Sequence, residues 1–311
     1  MAKILITESV HPIGPELLTA AGHTVVYADR DMDVIRREIV DADAVLVRII
    51  ELPGSLLATA KNLKIVSKHG VGYDNIDLDY CKSHGIAVTI TPNANSLSVA
   101  EHAFTLMLTL AKNIIPVSNE YRTVGFAAKN HAPGIEMTGK TLGLIGMGRI
   151  GKHILHMCRD GLDMRVIVYD PYISEVPEGV ERVDDLSELL RRADVVTLHC
   201  LLTDETRKLI DRERLALMKP TALLINCARG PIVDEAALIE ALENGRLAGA
   251  GLDVTDPEPV APDSPLFKLP NVIVTPHYAP TTVESATRVS KIAAENINAV
   301  LAGQEPVGRI V

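Results

Sequence analysis

Short β-branched apolar runs alternate with amphipathic stretches along the first hundred residues, the runs falling at 3–6, 24–27, 44–47, 64–67 and 87–90. Runs with so few polar interruptions suit strands buried on both faces of a parallel sheet, with right-handed helical crossovers covering those faces. The pattern therefore predicts a doubly wound, flavodoxin-like α/β domain. From Ser98 through Asn113 the period changes: Val99, His102, Ala103, Leu106 and Leu110 recur at helical spacing, and Pro116 is placed to bend or end that helix. A second alternating series begins at Thr141 and continues at 165–169, 195–199, 222–226, 248–253 and 272–275, which predicts a second α/β domain. A last helical segment, 282–302, is too short for a domain of its own and is expected to return to the first. The expected division is residues 1–97 with 282–311, and residues 98–281.

Composition sharpens this picture. A chain of 311 residues that is 47% hydrophobic exceeds one ordinary core, so two domains with a cleft between them are expected. The net charge of -9, from 40 acidic and 31 basic residues without a long run of either sign, argues against nucleic acid or a membrane surface and for a small-molecule partner. No apolar stretch approaches the roughly 20 residues needed to span a bilayer, and the N-terminus enters an apolar run at once without a leader pattern. Cys81, Cys158, Cys200 and Cys227 are scattered with no CxxC pair, which favours reduced thiols, no metal site and a cytoplasmic location.

Candidate chemistry begins with the run Thr141 to Gly151, in which Gly146, Gly148 and Gly151 follow an apolar strand and precede a helix expected from about Lys152. Glycines at this spacing permit a tight turn, close backbone approach to a pyrophosphate, and close helix–strand packing, while free helix N-terminal amides favour the anion. Arg149 and Ile150 lie within the same loop. The next strand ends at Asp170, 19 residues past Gly151, close to the spacing of about 20 for a carboxylate that binds adenosine ribose hydroxyls. Such a carboxylate repels a 2′-phosphate, so NAD is favoured over NADP.

Three later segments place ionisable groups at strand ends: NCARG with Arg229, DVTDPEP with Glu258, and TPHYA with His277. Together with the glycine loop, with HGVGYDNIDL (69–78) and NANSLSVAEH (93–102), and with the segments 195–210 and 218–238, they resemble the D-isomer-specific 2-hydroxyacid dehydrogenase family over almost the whole chain. The resemblance implies a Rossmann NAD-binding domain, a discontinuous substrate domain and a homodimer built around the segment 98–140. It also implies hydride transfer between nicotinamide and C2 of a small D-2-hydroxy acid or its 2-oxo acid. The guanidinium of Arg229 suits a carboxylate and an adjacent carbonyl held in one plane. Imidazole at His277 suits proton delivery to the oxygen on which charge develops, and a carboxylate at Glu258 would fix its tautomer and favour the protonated ring.

The resemblance further assigns the substrate carboxylate to backbone amides at Val71 and Gly72, and the cofactor to His199, Thr206, Asn226, Cys227, Ala228 and Asp253. Cys227 reads as a packing residue, because hydride transfer needs no thiol nucleophile. Two departures stand out: Leu201 follows His199-Cys200 where proline is common, and Tyr278 follows His277 where small residues are usual, which makes Tyr278 a candidate specificity residue. Arg48, Lys68 and His69 are candidates for a distal anionic group on the substrate. No motif surrounds His11, His23, His84, His131, His153 or His156, and His102, beside Glu101, reads as a packing or hinge residue. Hinges are expected near 95–98 and 280–282, with closure on substrate. An NAD-sensing corepressor is the alternative outside enzymes; formate and phosphite dehydrogenases are alternatives within them. No regulatory domain follows Val311 in the sequence, which disfavours the large members of that family with C-terminal control modules but not the short ones.

Overall fold

In a computed structural model, which describes residues 1–130 and 133–311, the chain divides into two compact units, Met1–Asn95 with Thr281–Val311, and Ser96–Pro280. His131 lies outside the described residues.

The first unit contains five parallel strands, β1 (Lys3–Ile6), β2 (Thr24–Tyr27), β3 (Ala44–Val47), β4 (Ile65–Lys68) and β5 (Ala87–Thr89), in the order β2-β1-β3-β4-β5. Successive strand residues point to opposite faces, and the two cores of this unit divide accordingly. Leu5, Val45, Val47, Val66 and Val88 enter one core, and Ile4, Ile6, Ala44, Leu46, Ile65 and Ala87 enter the other. The terminal helix, Val283–Leu301, covers the second face through Ala293, Ala294 and Ile297. Its Ser290 meets Gly14 on the Ile13–Ala20 helix so closely that a Cβ at residue 14 would stand 2.4 Å from Ser290 Oγ. The sheet order is that of a flavodoxin-like doubly wound fold.

The second unit carries seven parallel strands, β6 (Thr141–Ile145), β7 (Arg165–Tyr169), β8 (Val180–Arg182), β9 (Val195–Leu198), β10 (Leu223–Asn226), β11 (Gly249–Leu252) and β12 (Val272–Val274). Their order, β12-β11-β10-β9-β6-β7-β8, is a Rossmann arrangement whose direction reverses between β6 and β9. The same alternation separates Ile145, Ile167, Val196, Leu198 and Leu224 from Leu142, Leu144, Val166, Val168, Val195 and Ile225. β8 escaped the hydrophobic pattern because it is a three-residue edge strand with exposed Glu181 and Arg182.

Two helix expectations need correction. The long helix runs Ser96–Ala111 and stops without help from Pro116; the break is at Asn113, which takes a left-handed φ of 51° and caps a new helix, Ile114–Val124. Pro116 lies in the first turn of that second helix, where its missing N–H costs no intrahelical bond. The glycine-loop helix begins at Arg149, with Gly148 as its N-cap, so Gly151 is inside its first turn.

Candidate active site

The Rossmann unit gathers its chemistry where the strands end. After β6 the chain turns at Gly146, whose φ of 89° disfavours any side chain and whose Cβ would stand 2.8 Å from the backbone of His199 and Cys200. At Gly151 a Cβ would stand 2.3 Å from Gly146 O, so the helix seats directly on the loop; at Gly148 the Cβ position opens onto space. The three glycines thus have three different surroundings, and the open one lies at the N-terminus of the 14-residue helix Arg149–Leu162. Exposed Gly148 and Arg149 and half-buried Ile150 lead into its first turn, whose amides are free of intrahelical partners and can receive a pyrophosphate.

Asp170 follows β7 and has a second task that its spacing did not announce. Its Oδ2 accepts from Met147 N at 2.8 Å and its Oδ1 from Tyr172 N at 3.0 Å, which ties the glycine loop to the end of β7. Each oxygen retains a lone pair for a ribose hydroxyl. A second carboxylate, Glu205, accepts from Tyr172 Oη at 3.1 Å.

His199 follows β9, with Nε2 at 2.8 Å from Thr197 Oγ1 and Nδ1 buried without a hydrogen-bond partner. Burial pushes its pKa down to about 4, so the ring is neutral at physiological pH. Thr206 braces the following loop: its hydroxyl donates to Leu201 O at 2.6 Å and accepts from Thr203 N at 2.7 Å. Leu201 itself is exposed.

After β10 the Asn226 side chain closes the NCARG turn, its Nδ2 donating to Arg229 O at 3.0 Å and its Oδ1 accepting from Ala228 N at 3.0 Å. Cys227 is buried, which raises its thiol well above the ordinary range and leaves it a packing group. Arg229 is half-buried, and among its contacts Nη1 donates to Ala228 O at 2.8 Å. The next residue decides where this turn sits: a Cβ on Gly230 would fall 1.8 Å from Thr255 O. Only glycine lets the Arg229 turn lie against the loop that leads to Glu258. That loop is held from below by Glu235, whose Oε2 accepts from Asp256 N at 3.0 Å and whose pKa is raised by burial.

β11 and β12 complete the site. His277 Nδ1 lies 2.6 Å from Glu258 Oε1, and both side chains remain partly exposed. A carboxylate is acceptor-only, so Nδ1 carries a proton and Nε2 is the nitrogen that gains or releases one. His277 has φ of 52°, an uncommon value for a non-glycine residue, held by N–H donation to Asp253 O at 2.8 Å and Thr275 O at 3.0 Å. The buried Asp253 carboxylate brackets the same turn, with Oδ1 accepting from Tyr278 N at 2.7 Å and from Thr275 Oγ1 at 2.5 Å, and Oδ2 from Ala279 N at 2.9 Å. The Tyr278 ring stands edge-on to His102, centroids 6.2 Å apart.

The loops of the first unit carry the remaining candidates. Val71 and Gly72 are half-buried just beyond β4. Arg48 donates from Nη1 to Ser9 O at 3.0 Å, and the buried Lys68 ammonium donates to Arg48 O and to Asn75 Oδ1. Burial and the neighbouring Arg48 push His69 down to about 3. Sequence reasoning passed over Glu8, a buried carboxylate that accepts from Ile49 N (2.7 Å), Arg48 N (2.8 Å), Ile50 N (3.0 Å) and the Thr7 hydroxyl. Burial alone would raise its pKa, but the hydroxyl and the three amides outweigh burial and lower it. An isolated glutamate after a strand carries no motif, so only the fold reveals this role.

These groups predict an acid-sensitive chain. His69 and His199 bind protons below about 6.5 when unfolded but resist them when folded, so stability is full above that pH and falls as pH drops toward about 4 and about 3. Glu8, with its lowered folded value, adds a further loss only below the ordinary carboxylate range. Urea midpoints measured from pH 7 to 3.5 should decline throughout. His199→Asn should flatten the upper part of the decline, and an unchanged slope in that variant would refute the assignment.

Among the described residues no helix is long and apolar enough to cross a membrane, and the four cysteines are free thiols. The sequence profile of the D-isomer specific 2-hydroxyacid dehydrogenase, NAD binding domain, matches residues 104–279. The chain is 42% identical over 308 residues to the D-3-phosphoglycerate dehydrogenase of Methanocaldococcus jannaschii, covering 98% of this chain and 58% of that protein. It is thus little more than half the length of that relative. It is 38% identical over 319 residues to the glyoxylate reductase of Thermofilum pendens, covering 98% and 93%. The crystal structure of an NADPH-dependent glyoxylate/hydroxypyruvate reductase from Sinorhizobium meliloti, in complex with NADP and malonate, superposes with a TM-score of 0.90 at 29% identity, covering 100% of this chain and 97% of that one.

Proposed function

Because this chain belongs to the D-isomer-specific 2-hydroxyacid dehydrogenases, we propose that it is an NAD-dependent oxidoreductase acting between C2 of a small D-2-hydroxy acid and the corresponding 2-oxo acid. The observation that carries the reading is the His277–Glu258 pair, 2.6 Å apart on a turn bracketed by Asp253. When bound, the nicotinamide supplies or accepts the hydride. In reduction, His277 Nε2 delivers a proton to the substrate oxygen as negative charge develops there, while Glu258 holds Nδ1–H and stabilises the ring's positive charge. In oxidation the neutral ring takes that proton back. Arg229, beside the Glu258 loop, orients the substrate through its carboxylate and polarises the carbonyl.

A formate-type reaction needs no proton donor, so the pair favours an acid–base reaction. Residues Gly146 to Gly151 receive the cofactor pyrophosphate, and Asp170 the adenosine ribose. NAD is preferred, because a carboxylate at Asp170 repels a 2′-phosphate on that ribose, and Glu205, linked to it through Tyr172, adds negative charge nearby.

The test is oxidation of NADH, and separately NADPH, by the purified chain against glyoxylate, hydroxypyruvate, pyruvate and a phosphorylated 2-oxo acid. Turnover of at least one acid with NADH is expected; tight NADH binding without turnover of any acid would favour a cofactor-sensing protein. Asp170→Ser should lower the ratio of kcat/KM for NADH over NADPH by about tenfold or more. It should also weaken NADH binding, because Met147 N loses its acceptor. An unchanged ratio would remove Asp170 from the specificity argument.

A homodimer belongs to the same reading. The Ile114–Val124 helix has no buried residue, and Ile114, Ile115, Tyr121, Val124 and nearby Phe126 are exposed, a concentration of apolar surface suited to a second copy. The unpaired thiols suit a cytoplasmic location.

A further inference from the structure

We propose that His102, on the Ser96–Ala111 helix, is a positioning residue for proton transfer, acting on the His277 turn through Thr275 and Asp253. The inference rests on the reading of His277 as the proton donor. His102 Nε2 lies 3.0 Å from Thr275 Oγ1 and 3.5 Å from Asp253 Oδ1, and Thr275 Oγ1 lies 2.5 Å from Asp253 Oδ1. The direction of these bonds follows from elementary donor counting. Asp253 is a carboxylate that accepts two backbone amides, so the single hydroxyl proton of Thr275 goes to Asp253. Thr275 Oγ1 then has only lone pairs to offer His102, and His102 Nε2 must carry a proton. His102 therefore takes the Nε2–H tautomer and stands at the head of a one-way relay of hydrogen bonds.

The relay ends on the residues that hold the donor in place. Asp253 O accepts the His277 amide at 2.8 Å, and the Asp253 carboxylate accepts the amides of the two residues that follow. These bonds keep His277 at its left-handed φ of 52°. Asp253 is 1% exposed and His102 17%, so water does not readily substitute for the imidazole N–H at this end. The Tyr278 ring, edge-on to His102 at 6.2 Å, adds a packing contact between the helix and the same turn. Without the His102 donor, the Thr275 hydroxyl loses the bond that fixes its rotamer, which weakens its donation to Asp253 Oδ1 alongside the Tyr278 and Ala279 amides.

His102 touches neither substrate nor cofactor and acts only through Thr275 and Asp253, so its loss should appear chiefly in kcat. His102→Leu in the full-length chain is expected to lower kcat about tenfold for whichever of glyoxylate, hydroxypyruvate and pyruvate is turned over fastest, since small displacements of a reacting group carry penalties of this order. His102→Gln, whose amide can donate to Thr275 Oγ1, should recover kcat to within threefold of the parent. A wild-type kcat in His102→Leu, or an equal loss in His102→Gln, would overturn the proposal. Two-bond proton–nitrogen correlation of 15N-histidine-labelled protein, with His102 assigned by its absence in the glutamine variant, gives a reading independent of turnover. An Nε2–H pattern in the parent supports the relay, and an Nδ1–H pattern refutes it. If the parent reduces none of the acids, the proposed function fails while this spectrum still decides the relay.

Discussion

Replacing His277 by glutamine is expected to lower kcat for 2-oxo acid reduction by about 10²- to 10⁴-fold, the range typical for loss of a positioned general acid. Glutamine approximates the volume of imidazole and can still donate to Glu258, so the turn and the cofactor site should survive. Binding of NADH, followed by fluorescence, should therefore change by less than about threefold. Removing Glu258 as Glu258→Gln should be milder, since the ring keeps a hydrogen-bond acceptor on Nδ1 but loses the negative charge that favours imidazolium. The diagnostic is the pairing of the two results: a large loss in kcat with retained cofactor binding for the first, and a smaller loss for the second. Parental kcat in His277→Gln would end the assignment of the proton to this residue.

The second large effect is expected at a residue that has no ionisable group of its own. Gly230→Ala adds one methyl group, yet its Cβ would lie 1.8 Å from Thr255 O and 2.2 Å from Thr255 C, both backbone atoms. A flexible side chain could rotate away from such an intrusion; a backbone cannot, and Thr255 itself is buried. The Arg229 turn and the Glu258 loop must separate by an ångström or more, at a cost of about 1–3 kcal/mol or above. Thermal unfolding of the Rossmann unit should move down by several degrees, on the scale of about 2–4 °C per kcal/mol. Because Arg229 and Glu258 are displaced relative to one another, kcat/KM for the oxo acid should fall by at least about tenfold even at temperatures where the variant is folded. Gly245→Ala, which meets no neighbouring atoms, provides the comparison: its left-handed φ of 63° carries a local strain penalty without moving either loop, so stability falls and kcat/KM holds. A Gly230→Ala protein with parental stability and activity would show that the two loops are not in the contact described.

The legible part of the candidate site consists of residues whose chemistry requires a local pattern. Gly146, Gly148 and Gly151 announce themselves by spacing after a strand, and Asp170 by its distance from them. Glu258 and His277 required the resemblance, since a lone carboxylate between two prolines and a lone histidine after one have ordinary structural uses. Asn226 could have been seen as a turn brace from its place before Ala-Arg-Gly, given the readiness of asparagine to bond to amides two residues on. Gly230, Glu235, Thr275 and His102 gave no such signal. Each acts on a partner 21 or more residues away in sequence, and no local period encodes a distance of that kind.

By itself, the sequence determined the two parallel sheets and the place of the dinucleotide loop. Apolar period and glycine spacing are local properties, and burial on two sheet faces demands them wherever the chain lies. Pro116 and the short polar strand β8 show where that reasoning ends: a proline reads alike as a stop or as the first turn of a new helix, and the residues of a short strand at the margin of the sheet stay largely exposed. Tertiary structure alone decided that Asp253 brackets the His277 turn, that Glu8 fills a ring of amides, and that Gly230 brings the Arg229 turn onto Thr255. These are contacts between the ends of different strands, and their distances follow from the strand order and register of the folded sheets.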